Sequence, residues 1–520
     1  MQELNELERR RLSEQAQIDS LKGAEERNRQ GQYATPPALA KEVVRLALTH
    51  RLGSEKAIRF FDPAIGTGAF YSALLQSVSP QQIEQATGVE VDTAFAQVAR
   101  QLWATTGLKV IEADFTQLQP ELLEAQPNLL ICNPPYIRHH HLSQEAKPKL
   151  QEKAFAASGY RLNGLAGMYC YFLLLAHHWL QDGGLGVWLI PTEFMDVNYG
   201  RVIRAYLTEQ VTLRQIHRFE ATEVQFADAL VSSAIVVFEK SVPHSNHQVI
   251  FSIGGIPTQP EDIHQVPLSR LRNEQKWTRA HKAVTSTDTI GNRSIYFGDL
   301  FETRRGLVTG ANDYFIVKRT EAEKLDWPRE CYRPILPSPR YLKDAVIKSG
   351  ADGYPLLEPQ LVLLDCSLPE EYVREKHPEL WAYLEYGKAQ ELHKRYLTSR
   401  RDPWYQQEQR PPTPFICTYM GRGQSQTEPF RFFWNQSSAT VPNVYLLVYP
   451  REPLATYLHH NVQRQAEVFE LLTQIATEKL VDEGRTYGGG LHKIEPRELH
   501  RVPLTNIPLA QELRAATSLF

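Results

Sequence analysis

The sequence predicts an α/β protein: a seven-stranded, mostly parallel sheet with helices on both faces, followed by an α+β region. Three observations lead there. Seven short apolar runs lie between residues 58 and 239, and near-continuous apolar runs are what strands buried on both faces require. Helical patterns separate most of them, as in "TAFAQVARQLWATT" (residues 93–106) and "LAGMYCYFLLLAHHWL" (residues 165–180). Beyond Lys240 the alternation fades, and proline-rich stretches such as "RPILPSPRY" and "EQRPPTPF" mix with aromatic and basic residues.

At 520 residues the chain is too long for one ordinary core. We expect a charged helix over residues 1–30, the α/β domain over 31–245 and the α+β domain over 246–520. Apolar residues at 42% and charged residues at 22% describe a globular chain. No run of about 18 apolar residues offers a membrane span. The N-terminal "MQELNELERRRLSEQ" lacks the apolar core of a signal peptide, so a cytoplasmic location is expected. Five cysteines without a CxxC pair are expected to be reduced thiols, with no disulfide framework and no metal site. A net charge of -3 does not exclude a nucleic-acid partner, because phosphate affinity follows the clustering of cations and not their sum.

The first element with chemistry is "FFDPAIGTGAFYSALL" (residues 60–75). Asp62 ends a strand, and Gly66 and Gly68 occupy the turn before a helix, where backbone can approach a ligand closely. The spacing departs from the dinucleotide fingerprint G-x-G-x-x-G. Glu90, in "TGVEVD", ends the second strand, where a carboxylate accepts ribose hydroxyls. Asp114, in "IEADF", ends the third, placed to take a hydrogen bond from an adenine amino group. Three acidic strand ends in consecutive order describe a pocket for S-adenosylmethionine.

The fourth strand runs into "NPPY". Proline after Asn133 removes a competing N–H and holds an extended turn, so the Asn133 side-chain oxygen and the Pro134 carbonyl can converge on one point. Two acceptors aimed at one spot suit a planar amino group, and Tyr136 can stack on the ring that bears it. Both hydrogens held in this way pull the nitrogen toward tetrahedral geometry and return its lone pair to face a methyl donor. The site works by positioning and electrostatics, without a covalent intermediate.

In this order, "QYATPPALAKEVV", "DPAIGTG", "GVEVD", "ADF", "ICNPPY" and "GLGVWLIPTEF" resemble the amino-group DNA methyltransferases of the γ arrangement, the TaqI-type N6-adenine enzymes of type II restriction-modification systems. The resemblance covers about residues 30–240 and implies the Rossmann-like methyltransferase fold. It implies that Thr35 contacts the methionine end of S-adenosylmethionine. Asp62, Ala64, Gly66 and Gly68 would form the cofactor loop, Glu90 would hold the ribose, and Asp114 with Phe115 the adenine. Asn133 would border the cofactor and, with Pro134, Pro135 and Tyr136, hold the target base. Phe226, in "EVQFADALVSSAIVVF", would lie on the base's opposite face. Ile65 departs from the small or sulfur-bearing residue such loops often carry. The "LFETRRGLVTGANDYFIV" (residues 300–317), "FWNQSSATVPNVYLLVYP" (residues 433–450) and "GGGLHKIEPRELHRVPL" (residues 488–504) segments resemble the family's target-recognition region more loosely. Arginines beside glycines in "TRRG" and "YMGRGQ", and cations among aromatics in "KRYLTSRRDPWY", suit phosphate contacts and base readout.

The expected partner is double-stranded DNA, with the target adenine flipped out of the stack at a cost of a few kcal/mol. A cognate restriction endonuclease is expected as a separate protein, since no nuclease constellation is found. Rival readings keep the chemistry on cytosine N4, an RNA adenine or a protein glutamine, or reduce the chain to a non-catalytic DNA-specificity subunit. The roughly 280 residues after Lys240 favour DNA, and an intact "NPPY" with an intact cofactor loop favours an enzyme. His139, His140 and His141 point in different directions and read as a solvated or DNA-contacting loop. Cys132 reads as a buried strand-end thiol.

Overall fold

The seven apolar runs form strands: β1 (Ile58–Asp62), β2 (Ile83–Glu90), β3 (Leu108–Glu112), β4 (Leu129–Cys132), β5 (Leu185–Pro191), β6 (Thr212–Arg218) and β7 (Ser233–Glu239). The computed structural model describes residues 2–51, 57–220, 223, 225–226, 232–281, 295–423, 428–487 and 489–504. On β1, Phe60 and Phe61 point to opposite faces and join different apolar clusters, so both faces of the sheet are covered.

Among the described residues the sheet has nine strands and is mixed, which corrects the expectation of seven mostly parallel ones. Its order is β3-β2-β1-β4-β5-β7-β6-β8-β9, with β8 (Gln248–Ile256) and β9 (Gln259–Pro267) added at one edge. Strands β3 to β5 in that order run parallel, β7 is antiparallel to both β5 and β6, and β9 returns antiparallel to β8. The two added strands form a hairpin whose outer strand, "QPEDIHQVP", is polar and largely exposed. An exposed edge strand buries too little apolar surface to leave a strand pattern in sequence.

The helices begin with α1 (Gln2–Leu21) and α2 (Ala24–Gln30). The single charged helix expected over residues 1–30 is broken before α2, where Gly23 is extended with φ -61° and ψ 150°. Helix α3 (Pro37–His50) starts with proline in its first turn, and α4 (Ala69–Leu75) follows the glycine turn after β1. Helix α5 (Thr93–Leu102) is capped by Asp92, which accepts from the Ala94 N–H at 3.0 Å. Among the described residues no helix is long and apolar enough to cross a membrane.

The chain divides into two compact units, Met1–Val284 with Tyr487–Gly489, and Thr285–Thr486 with Gly490–Phe520. The second unit contains a five-stranded sheet ordered Phe301–Arg305, Tyr445–Pro450, Phe415–Thr418, Phe432–Asn435 and Val346–Ile347. A three-stranded sheet pairs Leu361–Leu364 with both Ile316–Lys318 and Tyr332–Ile335. This pairing brings Cys331 and Cys366 together in a disulfide, a correction to the expectation of five thiols. Cys132, Cys170 and Cys417 are buried free thiols.

Candidate functional site

The order β3-β2-β1-β4 sets the carboxyl ends of four parallel strands side by side. The chain reverses its direction of travel across the sheet between β1 and β4, and ligands of open α/β sheets bind in the crevice outside such a reversal. Asp62 and Glu90 close β1 and β2, and Asn133 follows β4 directly. Strand β3 ends at Glu112, so Asp114 lies two residues past it, exposed, and caps a short 3-10 turn. Its Oδ1 accepts from Thr116 N–H and Oγ1 at 2.9 and 2.8 Å.

Asp62 is 1% exposed. Burial, with a smaller contribution from nearby Glu90, pushes its carboxyl up to about 8, against the Ala64 N–H that donates to Oδ1 at 3.0 Å. Buried Cys132 hydrogen-bonds to Asp62, and burial holds that thiol protonated. Glu90 accepts from the Gly66 N–H at one oxygen and the Asp92 N–H at the other, both at 2.9 Å. Burial raises its carboxyl while these N–H groups oppose the shift. Each carboxylate oxygen carries two acceptor positions, so a bond to backbone leaves room for a hydroxyl donor.

Between these acids runs the glycine turn. Gly66 has φ +55°, and a Cβ there would meet nothing within 4 Å, which is the open approach a ligand needs. At Gly68, with φ +91°, a Cβ would come within 2.4 Å of Trp103 Nε1, which donates to the Thr67 carbonyl at 2.9 Å. Ile65 fits because Gly88 on β2 has no side chain: a Cβ at Gly88 would lie 2.2 Å from Ile65 Cδ1. Phe115 is a core residue, its ring packed against Phe61, Phe172 and Trp179.

The Asn133 amide is oriented by a distant segment. Its Nδ2 donates to the Tyr33 carbonyl and to Thr35 Oγ1, both at 3.1 Å. Thr35, expected at the cofactor, is thus found against Asn133. With both donors used on one side, Asn133 Oδ1 is left buried without a hydrogen-bond partner. Among the described residues no hydrogen bond reaches the Pro134 carbonyl either. Tyr136 N–H donates to the Gly31 carbonyl at 3.0 Å, and its hydroxyl donates to the Leu189 carbonyl at 3.0 Å. Gly31, which sequence reasoning missed, has φ +63°, and a Cβ there would lie 2.5 Å from Tyr136 N. Its signal was the glycine of "GQYATPP", directly before the motif residues.

Tyr136, Phe226 and Tyr33 form a triangle of rings with centroids 5.6 to 5.9 Å apart. Tyr136 and Phe226 stand at 88° to each other. A base sandwiched between two rings needs about 7 Å between parallel planes, twice the contact distance of stacked carbons. The trio is therefore closed, and a base laid on Tyr136 requires Phe226 or Tyr33 to shift.

The arginines singled out in the second unit do different jobs. Arg395 and Arg401 donate to the carbonyls of Gly310, Thr309 and Val308, joining two loops. Arg400 stacks on the exposed Tyr396 ring at 3.6 Å, and Arg305 on Tyr419 at 4.3 Å. Gln424 of "YMGRGQ", Gly488 of "GGGLHKIEPRELHRVPL" and residues 227–231 beside Phe226 lie outside the described residues.

Two sequence families match the chain. The Eco57I restriction-modification methylase family matches residues 88–225, and the C-terminal domain family of type II methyltransferase M.Eco57I matches residues 274–519. Type II methyltransferase M.XamI of Xanthomonas campestris pv. amaranthicola is 27% identical over 485 residues, 91% of this chain and 85% of that protein. Along most of its length the chain is thus similar to type II restriction-modification methyltransferases. M.AccI of Acinetobacter calcoaceticus, of the same description, is 25% identical over 508 residues, 93% of this chain and 87% of its own length. The fold of the chain is also that of the type IIL restriction-modification enzyme MmeI, solved in complex with DNA. That likeness has a TM-score of 0.61 at 13% identity and covers 96% of this chain and 72% of that one.

Proposed function

We propose that the protein transfers a methyl group from S-adenosylmethionine to N6 of an adenine flipped out of double-stranded DNA, as a γ-type, TaqI-like modification enzyme. It protects sites that a separate restriction endonuclease would cut. Residues 31–245 carry catalysis and residues 246–520 target recognition. The observation that carries this reading is the orphaned Asn133 Oδ1, a buried acceptor whose amide is held the right way round by Tyr33 and Thr35. A buried acceptor without a partner costs about 1–3 kcal/mol, a cost that a bound amino group removes. That M.XamI and M.AccI are type II methyltransferases supports the DNA substrate.

The residues present fit the cofactor: Gly66 offers open backbone, Glu90 the ribose acceptor, and Asp114 keeps Oδ2 for an amino group. Bound S-adenosylmethionine supplies the electrophilic methyl group. Asn133 Oδ1 and the Pro134 carbonyl accept hydrogen bonds from the two amine hydrogens, and Tyr136 supports the ring. The aromatic contact returns about 1–3 kcal/mol, comparable with the few kcal/mol spent on flipping. Incubation with labelled S-adenosylmethionine and several DNAs, followed by digestion to nucleosides, is expected to place the label in N6-methyl-2′-deoxyadenosine. Label in N4-methylcytosine, in RNA or in protein would replace this reading.

A further inference from the structure

Helix α1 is polar, yet it docks on the cofactor loop through its charged side chains. Arg11 is 2% exposed. Its Nε and Nη2 donate to the Glu8 carboxylate at 2.7 and 2.6 Å, and Nη1 donates to Thr67 Oγ1 at 3.1 Å. Thr67 is the residue between Gly66 and Gly68. Its hydroxyl donates to Gln15 Oε1 at 2.9 Å, so α1 contacts this one side chain twice. Glu8 also accepts from Ser72 of α4 at 2.6 Å. At the other end of the helix, Lys22 pairs with Asp92, to which Gln32 also donates at 3.4 Å. Asp92 N–H donates to Glu90, so this end braces the turn that presents the second acid.

Burying an ion pair is a poor way to gain stability, because desolvation offsets the attraction. What such a pair does supply is geometry, since a guanidinium fork admits few alternatives. Here the guanidinium's third nitrogen is spent on the tip of the glycine turn, and the helix offers few apolar anchors to explain its docking otherwise: Ile18 is buried, and Leu4 and Leu7 are only partly so.

We propose that α1 is part of the cofactor site, with Arg11 as a positioning residue that fixes the 66–68 turn through Thr67 and Lys22 as its counterpart at the Glu90–Asp92 turn. This rests on the reading of that pocket as the S-adenosylmethionine site. Neither residue touches the ligand; each holds backbone that does.

The test is titration calorimetry of the full chain with S-adenosylhomocysteine, alongside thermal melts without ligand. Arg11→Met is expected to weaken binding at least ~10-fold, equal to ~1.4 kcal/mol. Arg11→Lys should recover part of the affinity, since an ammonium can still reach Thr67. Thr67→Val, which leaves α1 and its ion pair in place, is expected to weaken binding in the same direction and to add little in the double variant. Arg10→Ala, at an exposed position of the same helix, should bind as wild type does. A lowered melting temperature with wild-type affinity in Arg11→Met, or in Thr67→Val should the first not fold, makes the helix a purely structural cover and overturns the proposal alone. A wild-type chain that does not bind S-adenosylhomocysteine overturns the cofactor reading, and this inference with it.

Discussion

The two halves of the site are built in opposite ways. Asp62 bonds its own turn two residues on, at Ala64, and Glu90 does the same at Asp92 while crossing one strand to reach Gly66. The acids of this half are satisfied by their own turns and one neighbouring strand, with α1 bracing those turns from outside through Arg11 and Lys22. Asn133, in contrast, is held by Tyr33 and Thr35, 100 and 98 residues earlier in the chain, and one acceptor is left unpaired. The difference teaches that the first half has its acids already hydrogen-bonded before a ligand arrives, whereas the second holds an unpaired acceptor and is completed only by its ligand.

The sharpest way to break this contrast is Asn133→Ala. It removes an acceptor that acts on the reacting amine, and loss of one such preorganised contact costs on the order of 10² to 10³ in kcat. Single-turnover methylation should show that loss, while calorimetry should show S-adenosylhomocysteine binding nearly unchanged; equal losses in both would merge the two halves. Tyr136→Ala comes next, with capture of the extrahelical base expected to weaken roughly 10- to 100-fold for the loss of one stacked ring. A fluorescent base analogue at the target position reads this directly.

Gly31→Ala should follow. It forces an alanine into left-handed backbone, costing roughly 1–2 kcal/mol, and presses on Tyr136 N, so base capture should suffer and cofactor affinity should not. The smallest effect on base capture or catalysis belongs to Asp62, whose change is read in stability. The folded chain holds its proton up to about pH 8, whereas an ordinary aspartate releases it near 3.8, so wild-type stability falls as pH rises between those values. Asp62→Asn removes that slope. Unliganded Asp62→Asn should melt higher than wild type at about pH 9, with the gap closing toward pH 4; a constant gap would show that burial does not protonate this carboxyl.

How much of this was legible in the sequence follows the same division. All seven apolar runs became strands, and all but the edge strand β3 are largely buried, which demands apolar residues such as Val, Ile, Leu and Phe. Of the β8–β9 hairpin, β9 was missed because it is exposed and polar, whereas β8 is largely buried and begins just past the boundary drawn at residue 245. Asp62 and Glu90 were readable because a strand end and its turn are neighbours in sequence. Asp114 drifted two residues past β3, a boundary that periodicity locates poorly. Thr35 was read toward the cofactor with no sign of its contact with Asn133, and Gly31, Tyr33 and Arg11 were not singled out at all. Each acts on a residue at least 50 positions away, through a contact that no local pattern records. The disulfide between Cys331 and Cys366 is of the same kind, created by strand pairing across 35 residues.

The central claim is that Asn133 Oδ1 and the Pro134 carbonyl wait for one exocyclic amine. A structure of the chain with S-adenosylhomocysteine and a methylatable duplex measures it directly. The account predicts an extrahelical adenine whose N6 lies within hydrogen-bond distance of both oxygens, with Phe226 or Tyr33 displaced from Tyr136. A bound duplex whose target amine meets neither oxygen, with the ring triangle still closed, would contradict it.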